Sequence, residues 1–211
     1  FLFMLSSIVL AVFLLAPELS NASYQGQIAE YLELGPAKHL NVAAHGRSTK
    51  EIDQGLLEIY RRNNMQPFWI EDGKPSARAL AIRSVLEGSV SHGLNPNNYF
   101  VSNIKKFWNS TDDSGLARLD IILSLGMLLY VADQQEGRMG PHLANPQLFA
   151  SARNVTLNRE TLMQGFREPD MQSFMEGQAP QFPQYQKMRN KLAEYQILEQ
   201  RGGWPSVPAG P

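Results

Sequence analysis

His39, His45, His92 and His142, the only four histidines of this 211-residue chain, are its best candidates for acid–base or metal chemistry. None belongs to an H-E-x-x-H pair or another spacing that would bring two imidazoles to one ion. His92 directly precedes a glycine at what reads as a helix end, where a cationic ring would face the negative end of the dipole, so a capping role is expected of it. Glu71 and Asp72 are adjacent carboxylates, but glycoside hydrolysis needs two carboxyls facing each other across about 5 to 9 Å. Neighbours in a tight turn do not do that, and both are expected to be solvated. No G-x-S-x-G elbow is present to expose a serine nucleophile. Cysteine is absent altogether, which removes disulfides, thiolate metal sites and thiolate catalysis. Trp69, Tyr99, Trp108 and Trp204 have faces suited to stacking on sugars, yet core packing is the expectation for Trp69 and Tyr99. Arg138 is expected to serve the last carbonyls of a long helix rather than an anion. No catalytic set, cofactor or metal site is therefore expected.

The elements that would position these residues are clearest between Tyr60 and Tyr99. Arg61, Arg62, Asn63 and Asn64 close an amphipathic helix, and Pro67 forbids its continuation. Phe68-Trp69-Ile70 is a short apolar patch, too brief for a sheet of its own, and Glu71-Asp72-Gly73 has turn chemistry with Gly73 free to take positive φ. Ser76 is the expected N-cap of a helix whose apolar stripe is Ala79, Ile82, Leu86 and Val90. Gly93 followed by Leu94 suits a left-handed C-terminal cap with its hydrophobic contact, and Asn95-Pro96 supplies a new cap and a first-turn proline.

This order of signals, Trp69-Ile70-x-Asp72-Gly73-x-Pro75-Ser76 followed after one helix by His92-Gly93-Leu94-x-Pro96-x-x-Tyr99, resembles the amino-terminal scaffold domain of large periplasmic murein L,D-transpeptidases. Glu136-Gly137-Arg138 after a long apolar helix, Phe182-Pro183-Gln184-Tyr185, and the tail from Arg201 through Trp204 to Pro211 agree with that pattern, so the likeness runs from about Thr49 to Pro211. The resemblance implies a parent enzyme that forms 3,3 cross-links between meso-diaminopimelate residues of peptidoglycan through a cysteine acyl-enzyme. It also implies a peptidoglycan-binding module and a catalytic domain downstream. With no cysteine here, that chemistry is not expected of this chain.

The opening residues, Phe1 to Ala16, are apolar apart from Ser6 and Ser7, and at ~1.5 Å per residue they fall short of the ~30 Å hydrocarbon core. A signal-peptide core is expected, with Ser20-Asn21-Ala22 as a cleavage site, and a retained membrane anchor is the alternative. The initial Phe1 suggests a start that lies further upstream. Net charge is −1, which gives no basic surface for nucleic acid. Residues 23–47 are mixed in character, with no clear element. Ser48-Thr49-Lys50-Glu51 reads as a capping box, and Ile52, Leu56, Ile59 and Tyr60 share one helical face. Ile104, Phe107 and Trp108 are helically spaced, and Asn109 to Gly115 reads as a polar loop. Leu116 to Ala132 is the longest apolar run of the domain. Arg118 and Asp120 within it are costly at a bilayer centre, so a buried core helix is expected, ended by Gly137 and Gly140-Pro141. Asn145 to Leu157 reads as irregular, Arg159 to Phe166 as a short helix, and Pro169, Pro180 and Pro183 as breakers. Tyr185 to Gln200 reads as a helix with Tyr185, Met188, Leu192, Tyr195 and Leu198 buried and Gly202 as its cap. Three prolines after Gly203 have linker composition.

The expected fold is an irregular all-α domain of six or seven helices around a buried central one. The expected organisation is a signal or anchor at 1–22, a lead-in at 23–47, the scaffold domain at 48–203 and a linker at 204–211. The expected role is the non-catalytic scaffold of an exported, periplasmic cell-wall enzyme, touching the membrane only through its first segment. Its partners would be the downstream domains and peptidoglycan. A stand-alone exported module binding a protein or glycan is the alternative.

Overall fold

The computed structural model describes residues 24–40, 42, 49–136 and 163–203. The chain is mostly helical, with a helix over 24–33 (α1), then α2 (Pro36–His39), α3 (Thr49–Arg62), α4 (Ala77–Glu87), α5 (Val101–Phe107), α6 (Asp113–Glu136), α7 (Met171–Glu176) and α8 (Pro183–Gln200). Among the described residues the only strands are the two-residue pair β1 (Ile70–Glu71) and β2 (Lys74–Pro75). Asp72 and Gly73 between them have φ of 50° and 72°. Two consecutive positive-φ residues give a turn whose twist matches that of the strands, which is why Asp-Gly stands at this hairpin.

The centre is α6. Ile121, Ile122, Leu123, Leu125, Met127 and Val131 are all fully buried, so the helix is apolar on every side and is wrapped rather than half-covered. By length and composition it would also cross a membrane, but 94% of that window is buried inside the domain. It starts at Asp113, inside the stretch expected to be loop, because Asp112 Oδ1 accepts from the Gly115 amide and satisfies the first turn. Gly126 lets a neighbouring segment approach closely: a Cβ there would lie 2.9 Å from the Tyr99 carbonyl oxygen and 2.9 Å from Leu86 Cδ1.

Around α6 the stripe of α3 buries Leu56, Ile59 and Tyr60, with Ile52 partly covered. The Ser76 hydroxyl accepts from the Ala79 amide and starts α4, which buries Ala79, Ile82 and Leu86. Val90, expected on that stripe, is 45% exposed. The helix tightens to a 3-10 turn over Gly88–His92, and three residues per turn carries Val90 out of phase with the α-helical face. Gly93 then takes φ of 74°, with its amide on the Val90 carbonyl and the Leu94 amide on the Ser89 carbonyl. Asn95 caps a second 3-10 turn, Pro96–Tyr99.

Three segments depart from the sequence reading. The mixed lead-in is helical over 24–33 and in α2, and it contributes Tyr24, Ile28, Tyr31, Leu32, Ala37 and Val42 to the core. Its register is fixed from outside, since Asp53 on α3 accepts from the Ala37 amide at 2.7 Å and caps α2 from a distance no local pattern reveals. A further helix, α7, lies between Pro169 and Pro180, capped by Asp170, and Pro183 opens α8 in its first turn instead of breaking the chain. Finally, α8 has no buried residue: Met188 is 67% and Tyr195 53% exposed, against the buried stripe expected of it. This helix rests on the Gly88–His92 turn and the following glycine through Tyr185, Arg189, Leu192 and Gln196 and reaches the end of α6 through Tyr185, and nothing in the described residues covers its other side. The Gly202 and Gly203 φ values are positive at its end, as a left-handed cap requires. Residues 1–22, Ser48, Gly137, Arg138, Gly140-Pro141, 145–157, 159–162 and 204–211 lie outside the described residues.

Candidate functional site

Two polar stations interrupt the apolar surface of α6. Asp120 and Ser124, four residues apart, share one face near its start, and Tyr130, Asp133 and Gln134 share a face near its end. Each receives one half of the sequence pattern between Trp69 and Tyr99.

At the first station the Asp120 carboxylate is wholly buried. Its Oδ1 accepts from the Tyr60 hydroxyl at 2.6 Å, its Oδ2 from the Trp69 amide at 2.8 Å, and the Phe68 amide lies 3.2 Å from both oxygens. Ser124 Oγ accepts from Trp69 Nε1 at 2.7 Å and is the same distance from the Tyr60 hydroxyl. The chain after Pro67 has left its helix without a neighbouring strand, so these amides need acceptors, and a buried charge needs donors. Each solves the other's problem. Burial pushes the Asp120 carboxyl up to about 6, and the bonds from Tyr60 and the Trp69, Phe68 and Ile70 amides pull against that rise. The Tyr60 hydroxyl is held well above the usual phenol range by burial, with Asp120 adding to the effect. Trp69 is 0% exposed, packs 5.4 Å from the Phe166 ring, and carries the Arg78 guanidinium 4.9 Å above its own. Arg78 donates to the carbonyls of Phe166 and Glu168, tying residues 163–170 to the same corner.

The second station is less sealed. The Tyr99 hydroxyl donates to Asp133 at 2.8 Å, and the Tyr99 ring meets Tyr130 edge-on at 5.6 Å. His92 does not cap the helix end, contrary to expectation. Its Nδ1 lies 2.7 Å from the Tyr185 hydroxyl, with the two rings stacked, and Tyr185 in turn donates to Gln134 Oε1 at 3.3 Å. The carbonyls it was expected to serve are taken by α8: Gln196 donates to Val90 and Arg189 to Ser91. Burial lowers the His92 ring below its ordinary range, Arg189 lowers it further, and Glu176 opposes them, so the ring is neutral at neutral pH. Burial also pushes the Tyr130 hydroxyl up to about 12. A cavity of about 260 Å³ opens here, lined by Ser84, Ser91, His92, Tyr130, Glu176 and Arg189 among others.

Of the sequence-expected residues, Trp69 and Ser76 lie at the first station, and His92, Gly93 and Tyr99 at the second. Asp72, Gly73, Leu94 and Pro96 form the turns between them, while Gly137, Arg138 and Trp204 lie outside the described residues. Glu71 and Asp72 are exposed, and Trp69 and Tyr99 are core residues as expected, both closed to any ligand at 0% exposure. Sequence reasoning missed Asp120, Ser124 and Gln134 as anchors. The available signal was two polar residues four apart inside an otherwise apolar helix. A carboxylate sealed from solvent, with both oxygens engaged by protein donors, positions backbone and offers nothing to a substrate. What the arrangement does is hold two loops in fixed places on one rigid rod.

A family model described as Scaffold domain matches residues 54–192, a span that takes in both stations and well over half of the chain. No curated protein and no solved structure matches it. Fold, anchored motifs and matched span agree, and the chain belongs to the Scaffold domain family.

Proposed function

We propose that this chain is the non-catalytic scaffold portion of a cell-wall L,D-transpeptidase, exported to the periplasm, where it holds a peptidoglycan-binding module and a catalytic domain in a working arrangement for 3,3 cross-linking. The observation that carries this reading is that the two motif halves behind the resemblance are the two segments bolted to α6. The family match supports a scaffold role, and the lack of any cysteine agrees with chemistry located elsewhere in the polypeptide. Phe1 to Ala22 would deliver the chain across the membrane as a cleaved signal or a retained anchor.

The test is incubation of the chain with tetrapeptide-bearing muropeptides beside its full-length parent. The parent is expected to yield 3,3-linked dimers and the chain none above a boiled control; dimers from the chain alone would overturn the assignment. A natural reading frame that stops without a cysteine motif would favour a stand-alone exported module binding a protein or glycan.

A further inference from the structure

The cavity beside His92 has a charge pattern that the scaffold role does not use. Arg189 on α8 and Glu176 on α7 both border it, and both act on His92 and Tyr130, in opposite senses. They are not paired with each other: the Arg189 guanidinium makes only 3.3 Å contacts with Ser91, and Glu176 accepts from Gln172. Between them stand groups without charge at neutral pH, namely His92, Tyr130, Ser84 and Ser91. On α6 and the Gly88–His92 turn, which carry Tyr130 and His92, Gln134 Nε2 and Ser89 Oγ are buried without a hydrogen-bond partner among the described residues. At about 260 Å³ the space lies just below the range of sites for drug-sized molecules and is ample for an amino acid.

A lone anion would meet Glu176, and a lone cation would meet Arg189. A ligand with both charges a few ångströms apart satisfies the two walls at once, because the flat guanidinium suits a carboxylate and the carboxylate suits an ammonium. We propose that this cavity binds a small zwitterion, an α-amino acid or the amino-acid end of a short peptide, with its carboxylate on Arg189 and its ammonium on Glu176. This inference is independent of the transpeptidase reading.

Titration calorimetry and NMR of the whole chain with D- and L-alanine test it, with propionate and ethylamine as probes carrying one charge each. At least one alanine enantiomer is expected to saturate the site and to bind about tenfold or more tighter than either half-probe. Arg189→Gln and Glu176→Gln should each weaken alanine by a similar factor while leaving the melting temperature in place. Glu176→Gln should at the same time improve propionate, an effect that a merely structural role would not produce. Failure of both enantiomers to saturate, equal binding of alanine and propionate, or variants that bind alanine like the parent would overturn the proposal.

Discussion

The two stations on α6 handle the same problem, polar groups beside an apolar rod, in opposite ways. At Asp120 a full charge is enclosed and every oxygen is given a donor from the Phe68–Trp69 backbone or from Tyr60. At His92 the polar atoms are strung out through Tyr185 to Gln134, the ring is half-buried, and open space remains beside it. The first arrangement fixes backbone, since a carboxylate bound by consecutive amides leaves them no freedom. The second fixes side chains and leaves room for something else. Rigidity is thus concentrated at one end of the central helix and adaptability at the other.

The largest test of this contrast is truncation of Trp69. Its indole fills the corner formed by Phe68, Phe166 and Arg78, and its N–H serves Ser124, so Trp69→Ala should cost about 3 to 5 kcal/mol in urea denaturation. His92→Ala at the other station should cost about 1 kcal/mol or less, because a half-buried ring gives up less on removal. Comparable losses at the two positions would erase the distinction.

The next largest effect lies in Asp120 itself. Its folded-state value of about 6 stands above the unfolded 3.8, so the folded protein holds the proton more tightly between those values. Stability from this group is therefore fully present below about pH 3.8 and is lost as pH rises through about 6, by on the order of 2 to 3 kcal/mol. Tyr60 and Tyr24 face it as neutral hydroxyls, and Arg78 is a cation coupled to its charge. Asp120→Asn should abolish that slope and still destabilise, because its amide N–H₂ would point at a donor where an oxygen accepted. Denaturation of parent and variant across that window checks both parts, and identical slopes would mean that Asp120 is more solvated than its burial implies.

What was legible in the sequence were the local events: the cap at Ser76, the Asp72-Gly73 turn, the glycine after His92 and the apolar run of α6. Each depends on a few neighbours in the chain. What was not legible were the events between elements. Asp120 reads as a blemish in an apolar helix until Trp69, 51 residues away, is seen to donate to it. The apolar residues of α8 were correctly periodic, but periodicity states which residues share a face and says nothing of what covers it. In the lead-in, Gly35 and the polar residues hid a helix pair whose cap, Asp53, sits on another helix.

Gly93 offers a smaller and more local test. With φ of 74° it occupies the left-handed region, and an added Cβ would meet only Leu192 Cδ2 at 3.5 Å, an ordinary contact. The penalty in Gly93→Ala is therefore conformational, about 1 kcal/mol, and Gly93→Val should cost more because a branched side chain fits that region worse. Equal stability of all three proteins would show that the turn into Pro96 can relax, extending the adaptability of the second station to its backbone.

The smallest expected effect is also the one that reverses sign between the two stations. His92 is lowered by burial first and by Arg189 second, with Glu176 opposing and the Tyr130 and Tyr185 hydroxyls facing it uncharged. A base whose folded-state value is depressed contributes fully when both states are neutral. Its contribution is lost as pH falls from the ordinary imidazole range, near 6.5, toward the folded value. Acidification over that interval thus works against folding at His92, while at Asp120 it works for folding. His92→Phe keeps a ring to stack on Tyr185 and removes the titration. The expected outcome is that parent stability falls relative to His92→Phe between about pH 7 and pH 5.5, by less than the Asp120 change because water reaches the ring. Proton-detected titration of His92 by NMR gives the same answer independently, as a midpoint below that of an unfolded histidine. A midpoint at or above the ordinary value would mean that Glu176, not burial and Arg189, dominates the ring, and the second station would then hold a charge as the first one does.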